Sequence, residues 1–205
     1  MHSPDPTRRH AILEAAQRLL RLYGPAKTTM AEIAREAAIG VGSLYLEFAS
    51  KDAIVEELSS GTHHAVLSEM RAAAAPGRAD FAQRFRSVMN ARFESMLRLA
   101  EAGTHAPDLF HCGRPAVQTA HARFEAAERE LLASLFRDAV NAREFHIGDP
   151  DLAARTVLRA YASFAPPWVF STPRDEARRL IDALHDLVLA GLVVRGDRSR
   201  SRRRP

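Results

Sequence analysis

Residues 28–52, TTMAEIAREAAIGVGSLYLEFASKD, decide how the chain is read. Thr29-Met-Ala-Glu32 has the form of a capping box, in which the threonine hydroxyl accepts an orphan backbone N–H and the glutamate reaches back to the threonine N–H. Met30, Ile33, Ala34 and Ala37 then fall on one helical face. Ala38-Ile39-Gly40 interrupts that face, and glycine permits a sharp turn. A second short helix follows, with Val41, Leu44, Tyr45 and Phe48 near helical spacing. Ala49 and Ser50 end it, and Ser50 is a suitable N-cap for a third helix starting at Lys51. Two short helices joined by a tight turn form a helix-turn-helix, the unit that lays its second helix in a DNA major groove. A generic helical hairpin has the same apolar pattern, so periodicity alone leaves DNA binding open.

Upstream, Asp5-Pro6 reads as an N-cap and first helical residue, and Ile12, Leu13, Ala16, Leu19, Leu20 and Tyr23 form a buried stripe that Gly24-Pro25 stops. This first helix is expected to pack across the helix-turn-helix and complete a three-helix unit of roughly 50 residues. Arg8 and Arg9 at its start are either solvated or placed against phosphate.

The run Ile33-Ala34, Ala37-Ala38-Ile39-Gly40-Val41-Gly42-Ser43-Leu44-Tyr45 and Phe48-Ala49-Ser50-Lys51-Asp52 resembles the helix-turn-helix of the TetR family of bacterial transcriptional regulators. The family pattern reads I-A, A-G-V-S-x-G-x-L-Y, x-x-F, x-S-K-E. The small, aromatic and basic positions fall in register over about a quarter of the chain. The resemblance implies an all-α fold of about nine helices. An N-terminal DNA-binding domain (1–52) precedes a larger ligand-binding and dimerisation domain (53–194), and an Arg-rich tail (195–205) reads as disordered. Three departures stand out: Ala38 replaces the turn glycine, Gly40 replaces a capping serine, and Glu47 occupies a position where a histidine or tyrosine often meets the DNA backbone. A carboxylate there would be repelled by phosphate or accept from a cytosine amino group.

Charge sharpens this reading. The net charge is +4, but 195–205 holds six arginines and one aspartate, +5, which leaves −1 for the rest. The pI of 9.8 therefore belongs to the tail, and overall charge says little about nucleic acid. Apolar residues make up 46%, enough for a real core in 205 residues. The sequence shows no membrane-length apolar run and no apolar leader, so a cytoplasmic bacterial protein is expected. The single cysteine, Cys112, allows no intrachain disulfide.

Beyond the motif, helical spacing predicts helices over 51–75, 79–101, 116–143 and 150–165, and a last one from Thr172-Pro-Arg-Asp175 to about residue 194. Gly61 marks a possible bend in the first of these. No segment alternates like a strand between turn signals.

Site residues follow from the motif and the resemblance together. Tyr45 and Lys51 are expected as phosphate ligands, the lysine near helix-start amides that also favour anions. Thr29 would sit at another helix start facing the DNA backbone. Val41, Gly42, Ser43 and Leu46 occupy the recognition helix, where Ser43 can donate or accept and Val41 or Leu46 can touch a thymine methyl. In the larger half, Phe85, Met89, Phe93, Met96, His111, Phe124, Tyr161, Phe164 and Trp168 are either plain core or, as the resemblance implies, the lining of an apolar ligand cavity. His105, Asp108, His111 and Cys112 gather in a broken segment, but without the spacing of a structural zinc site. No metal and no cofactor are expected. No nucleophile–base pair, phosphate-cradling glycine loop or paired carboxylates mark an enzyme.

The reading is a ligand-responsive DNA-binding regulator, most simply a repressor. It would pair through its last two helices and leave a palindromic operator on binding a small apolar or amphipathic molecule. The alternative is a small-molecule binding protein of the same fold that has lost specific DNA reading. Glu47 and the lack of Arg or Lys on the recognition helix keep that alternative open.

Overall fold

The computed structural model describes residues 5–77, 79–102, 105–110, 113–165, 169 and 172–193. These form eight α-helices and two 3-10 turns. The helices are α1 (Pro6–Lys27), α2 (Met30–Glu36), α3 (Val41–Glu47), α4 (Lys51–Ala74), α5 (Phe81–Glu101), α6 (Pro115–Asn141), α7 (Pro150–Ala160) and α8 (Arg174–Leu192). The turns are Ala106–Leu109 and Tyr161–Phe164. The chain is all-α; the described residues hold no strand beyond one isolated bridge, Phe145 to Val193. No described helix is long and apolar enough to cross a membrane.

The caps explain most of the boundaries. Asp5, Thr29, Ser50, Asp80 and Asp149 each accept backbone N–H groups at the start of the helix they precede. At Thr29 both halves of the capping box are present. Thr172, expected to open the last helix, does not: Pro173 holds the cap position of α8 with no side-chain bond. α1 is helical up to a kink at Gly24, whose φ of 76° is in the left-handed region, and Pro25 follows. There is also no room for a side chain at Gly24, because a Cβ would meet the His105 ring at 3.0 Å.

The turn between α2 and α3 uses the same conformation without a glycine. Ala38 has φ 54°, Ala38 N donates to Arg35 O at 3.1 Å, and Ile39 N donates to Ala34 O at 3.0 Å. This is a Schellman stop, and it costs alanine what glycine would not lose.

Two apolar clusters hold the molecule together. The first joins Ile12, Ala16 and Leu20 of α1, Ile33 and Ala34 of α2, and Leu44 and Phe48 around α3. It also takes in Ile54, Val55 and Leu58 of α4, with Leu109 and Val117. A domain division at residue 52 therefore falls inside a packed core, because the first two turns of α4 are part of the head. The second cluster begins on the same helix with Val66, Leu67 and Met70 and extends through α5, α6, α7 and α8.

α4 runs through Gly61 without a non-helical residue, and a Cβ there would meet nothing within 4 Å. Opposite exchanges should thus both stabilise. Ala38→Gly relieves the left-handed strain and Gly61→Ala removes a helix-interior glycine, each raising stability by about 1 kcal/mol in urea unfolding.

Candidate nucleic-acid interface and helical body

α3 has two faces. Leu44 is buried against α1 and α2, with Phe48 just beyond the helix in the same core. Val41 (43% exposed), Gly42, Tyr45 (52%) and Leu46 (62%) point outward, and Ser43 lies half-buried between. These exposed positions are separated by one, four and five residues, which puts them on one side of a short helix. Large apolar and aromatic side chains left in water on a helix of this size mark a surface built to meet something. The expected base-reading residues thus share the exposed side of α3, with Tyr45 on that side between Val41 and Gly42.

Glu47 is the correction. It does not face outward; its carboxylate is buried and turned back to the start of α1. There Glu47 Oε1 accepts from Asp5 N at 3.3 Å and from Arg8 Nη1 at 3.4 Å, while Glu47 O accepts from Arg9 Nη1 at 2.9 Å. Arg9 in turn pairs with Glu57 and lies over the Phe48 ring, 4.0 Å from its centroid. Neither arginine is simply solvated. They brace the recognition helix against α1 and α4.

Two expected phosphate ligands also carry internal work. Lys51 Nζ donates to Pro25 O and to Thr28 O, both at 2.7 Å, tying the end of α1 to the start of α4. An ammonium has three N–H donors, so at most one is left over for phosphate. Thr29 Oγ1 donates to Glu32 Oε2 at 2.8 Å while accepting from Glu32 N at 3.2 Å. The hydrogen bonds from Thr29 hold the Glu32 carboxyl below its ordinary range. The Thr29 hydroxyl proton is therefore committed to a carboxylate.

In the body, Phe85, Met89, Phe93, Met96, Phe124, Tyr161 and Phe164 do gather in one cluster, and all are buried. They pack on each other and their neighbours: Phe85 stacks on Phe136 at 5.9 Å, and Phe93 meets Phe164 edge-on at 5.9 Å. A cavity of about 80 Å³ lies beside them, lined by Ser163, Phe164, Val169, Thr172, Ala177 and Leu180. Drug-sized ligands occupy several hundred Å³, more than this cavity offers. His111 and Trp168 lie outside the described residues, as does Cys112. His105 and Asp108 form a pair at 2.9 Å.

Residues 12–58 match the family model for bacterial regulatory proteins of the tetR family. Those residues are a tetR-family head: the match runs from α1 through α2 and α3 to the first turns of α4. The HTH-type transcriptional regulator YhgD of Bacillus subtilis is 24% identical over 90% of this chain and 96% of its own length. Two solved structures share the fold. The fatty acid degradation regulator FadR of Bacillus halodurans is 18% identical with a TM-score of 0.69, covering 95% of this chain and 100% of that one. The SmeT–triclosan complex is 18% identical with a TM-score of 0.68, covering 93% of each chain. The tetR-family head is that of a DNA-binding transcriptional regulator.

Sequence reading missed the buried polar groups of the body, because their partners are far apart in the chain. Arg92 of α5 and Glu128 of α6 form a buried ion pair. Tyr161 donates its hydroxyl to His185 Nδ1 at 2.6 Å, and His185 Nε2 donates to Asn90 Oδ1 at 3.0 Å. That chain of donors fixes His185 as the neutral Nε2–H tautomer. Burial, helped by the Arg86 charge, holds it down to about 4, and burial raises the Tyr161 phenol above its ordinary value.

A histidine in the unfolded chain takes a proton near pH 6.5, whereas the folded ring refuses it until about pH 4. The stability this gives is complete above pH 6.5 and drains away as pH falls towards 4, by about 3 kcal/mol in all. Urea unfolding between pH 7.5 and 4.5 should therefore show a steeper acid loss in the native sequence than in His185→Gln, whose carboxylates are the same.

Proposed function

We propose that the chain is a homodimeric repressor that reads a palindromic operator through α3 and releases it when a small apolar or amphipathic molecule opens the body. The observation that carries this is the outward face of α3. Val41, Gly42, Tyr45 and Leu46 stay in water on one short helix whose Leu44, with the adjacent Phe48, is packed in the head. Base reading falls to Val41, Gly42, Ser43 and Leu46. Phosphate contact falls to Tyr45, to the remaining donor of Lys51, and to Thr29 if its hydroxyl leaves Glu32 on docking. Glu47 is no obstacle, since its charge is spent on Arg8 and the Asp5 amide. This answers one of the two supports for a carrier that has lost DNA reading; the lack of Arg or Lys on α3 is the other.

The ligand class follows from the lining. Phe85, Met89, Phe93, Met96, Phe124, Tyr161 and Phe164 offer aromatic and thioether surface with one phenol. The names of two structural neighbours point the same way, since one regulates fatty acid degradation and the other is bound to triclosan.

Fluorescence anisotropy on the DNA upstream of the reading frame, with a scrambled duplex as control, tests the reading head. Tyr45→Ala should weaken operator binding by roughly tenfold or more, the worth of one hydrogen bond to a charged group, and leave the urea midpoint in place. Equal binding to both duplexes that collapses with salt would remove the proposal and assign the attraction to the arginine tail.

Dimerisation has its own support on α8. Leu187 is 74% exposed and Leu180 50%, on a helix whose other side holds Ala177, Ile181 and Leu189 in the core. A two-fold pair would bury this face and present two heads to two half-sites. Leu187→Glu should halve the mass measured by light scattering while far-UV helicity is kept.

A further inference from the structure

α3, Val41–Glu47, is seven residues long, and its side chains divide by face. Leu44 is in the head core, and Glu47 is turned inward to Arg8 and the Asp5 amide. Ser43 is half-buried. Val41, Gly42, Tyr45 and Leu46 remain exposed. At about 100° per residue they follow one another round the helix as Val41, Tyr45, Gly42 and Leu46, so two aliphatic side chains flank a phenol and a glycine.

Gly42 leaves a gap in that side. A Cβ built there would meet nothing within 4 Å, so a group the size of a methyl fits against the helix. The neighbours of Gly42 one turn on, at i+3 and i+4, are the Tyr45 ring and the branched Leu46 chain.

Base-pair edges in the major groove limit what such a surface recognises. Guanine is read by Arg or Lys on its O6 and N7, adenine by Asn or Gln on N6 and N7, and cytosine by a carboxylate on its N4 amino group. α3 carries no Arg, Lys, Asn, Gln or Asp, and its one carboxylate, Glu47, is spent inward. The Ser43 hydroxyl serves more than one base and so separates them weakly. The base-pair feature left over is the 5-methyl of thymine, an apolar group whose burial against an aliphatic face is favourable.

We propose that α3 reads each half-site through thymine 5-methyl groups, packed on Val41 and on Leu46 across Gly42, and not through hydrogen bonds to base edges. This rests on α3 being the DNA reader, as proposed above, and adds what it reads: thymine at fixed positions of the half-site. Tyr45 and the remaining Lys51 donor hold the DNA backbone and carry no base information.

Selection of duplexes from a random pool by the full chain gives the half-site. Anisotropy then compares a selected duplex with copies in which one thymine at a time is deoxyuridine, which removes the methyl and keeps every hydrogen-bonding atom. At one or two positions per half-site the exchange should weaken binding about fourfold, the worth of one buried methyl, and about fifteenfold when made in both half-sites. Val41→Ala and Leu46→Ala change exposed side chains, and each should bind the thymine and deoxyuridine forms alike at the position it contacts. Tyr45→Phe should weaken both forms by the same factor. Selective duplexes that are indifferent to deoxyuridine throughout overturn the methyl reading and leave α3 as the reader. Sensitivity that persists undiminished in both Val41→Ala and Leu46→Ala overturns it too, because the methyl is then felt by another element. A pool that yields no selective duplex overturns the reading head and the methyl reading with it.

Discussion

The structure depends on α4 being one unbroken helix that belongs to two cores. Its first turns give Ile54, Val55 and Leu58 to the head, and its later ones give Val66, Leu67 and Met70 to the body. At about 1.5 Å per residue the helix is roughly 36 Å long, so a small change of tilt at one end is a large displacement at the other. Between the two apolar stretches lies a buried polar waist of Ser59 and His63. Apolar surface alone would let the two clusters merge at any register. Polar groups at the waist have to find particular partners, and this fixes where α6 crosses.

The second bridge is the 3-10 turn at Ala106–Leu109. Leu109 packs in the head cluster while Ala106 and the adjacent Phe110 pack in the body cluster. His105 N donates to Arg21 O at 3.2 Å, and the His105 ring fills the space that Gly24 leaves open. Head and body are therefore joined through α4, through this turn and through the start of α6, whose Val117 packs in the head cluster, and neither can shift without the other feeling it.

Much of this was legible in the sequence. The capping box at Thr29, the stop at Gly24-Pro25 and the Pro150 start are local, so residue type and spacing announce them. Ala38 was legible as a departure, and the structure shows that it still adopts the left-handed turn. What could not be read was direction. Glu47, placed by the motif where a DNA contact is common, is turned inward because Arg8 and the Asp5 amide, about forty residues upstream, compensate its charge. Lys51 was expected outside for the same reason and spends two donors on the carbonyls of Pro25 and Thr28 at the end of α1. Pairings such as Tyr161–His185 and Arg92–Glu128 depend on how helices cross, which periodicity does not encode.

The packed body bears directly on how a regulator of this shape is switched. A preformed cavity would accept a ligand with little change and so transmit little. The described aromatic side chains pack on one another, so under the proposed switching a molecule that entered among them would displace rings that touch α4 or its neighbours. The free energy of that displacement is subtracted from ligand affinity. By linkage, the most the ligand can take from operator binding is the difference between its affinities for the two arrangements. Tight packing and stepwise switching would then go together, because a packed core changes its arrangement in steps and does not deform smoothly.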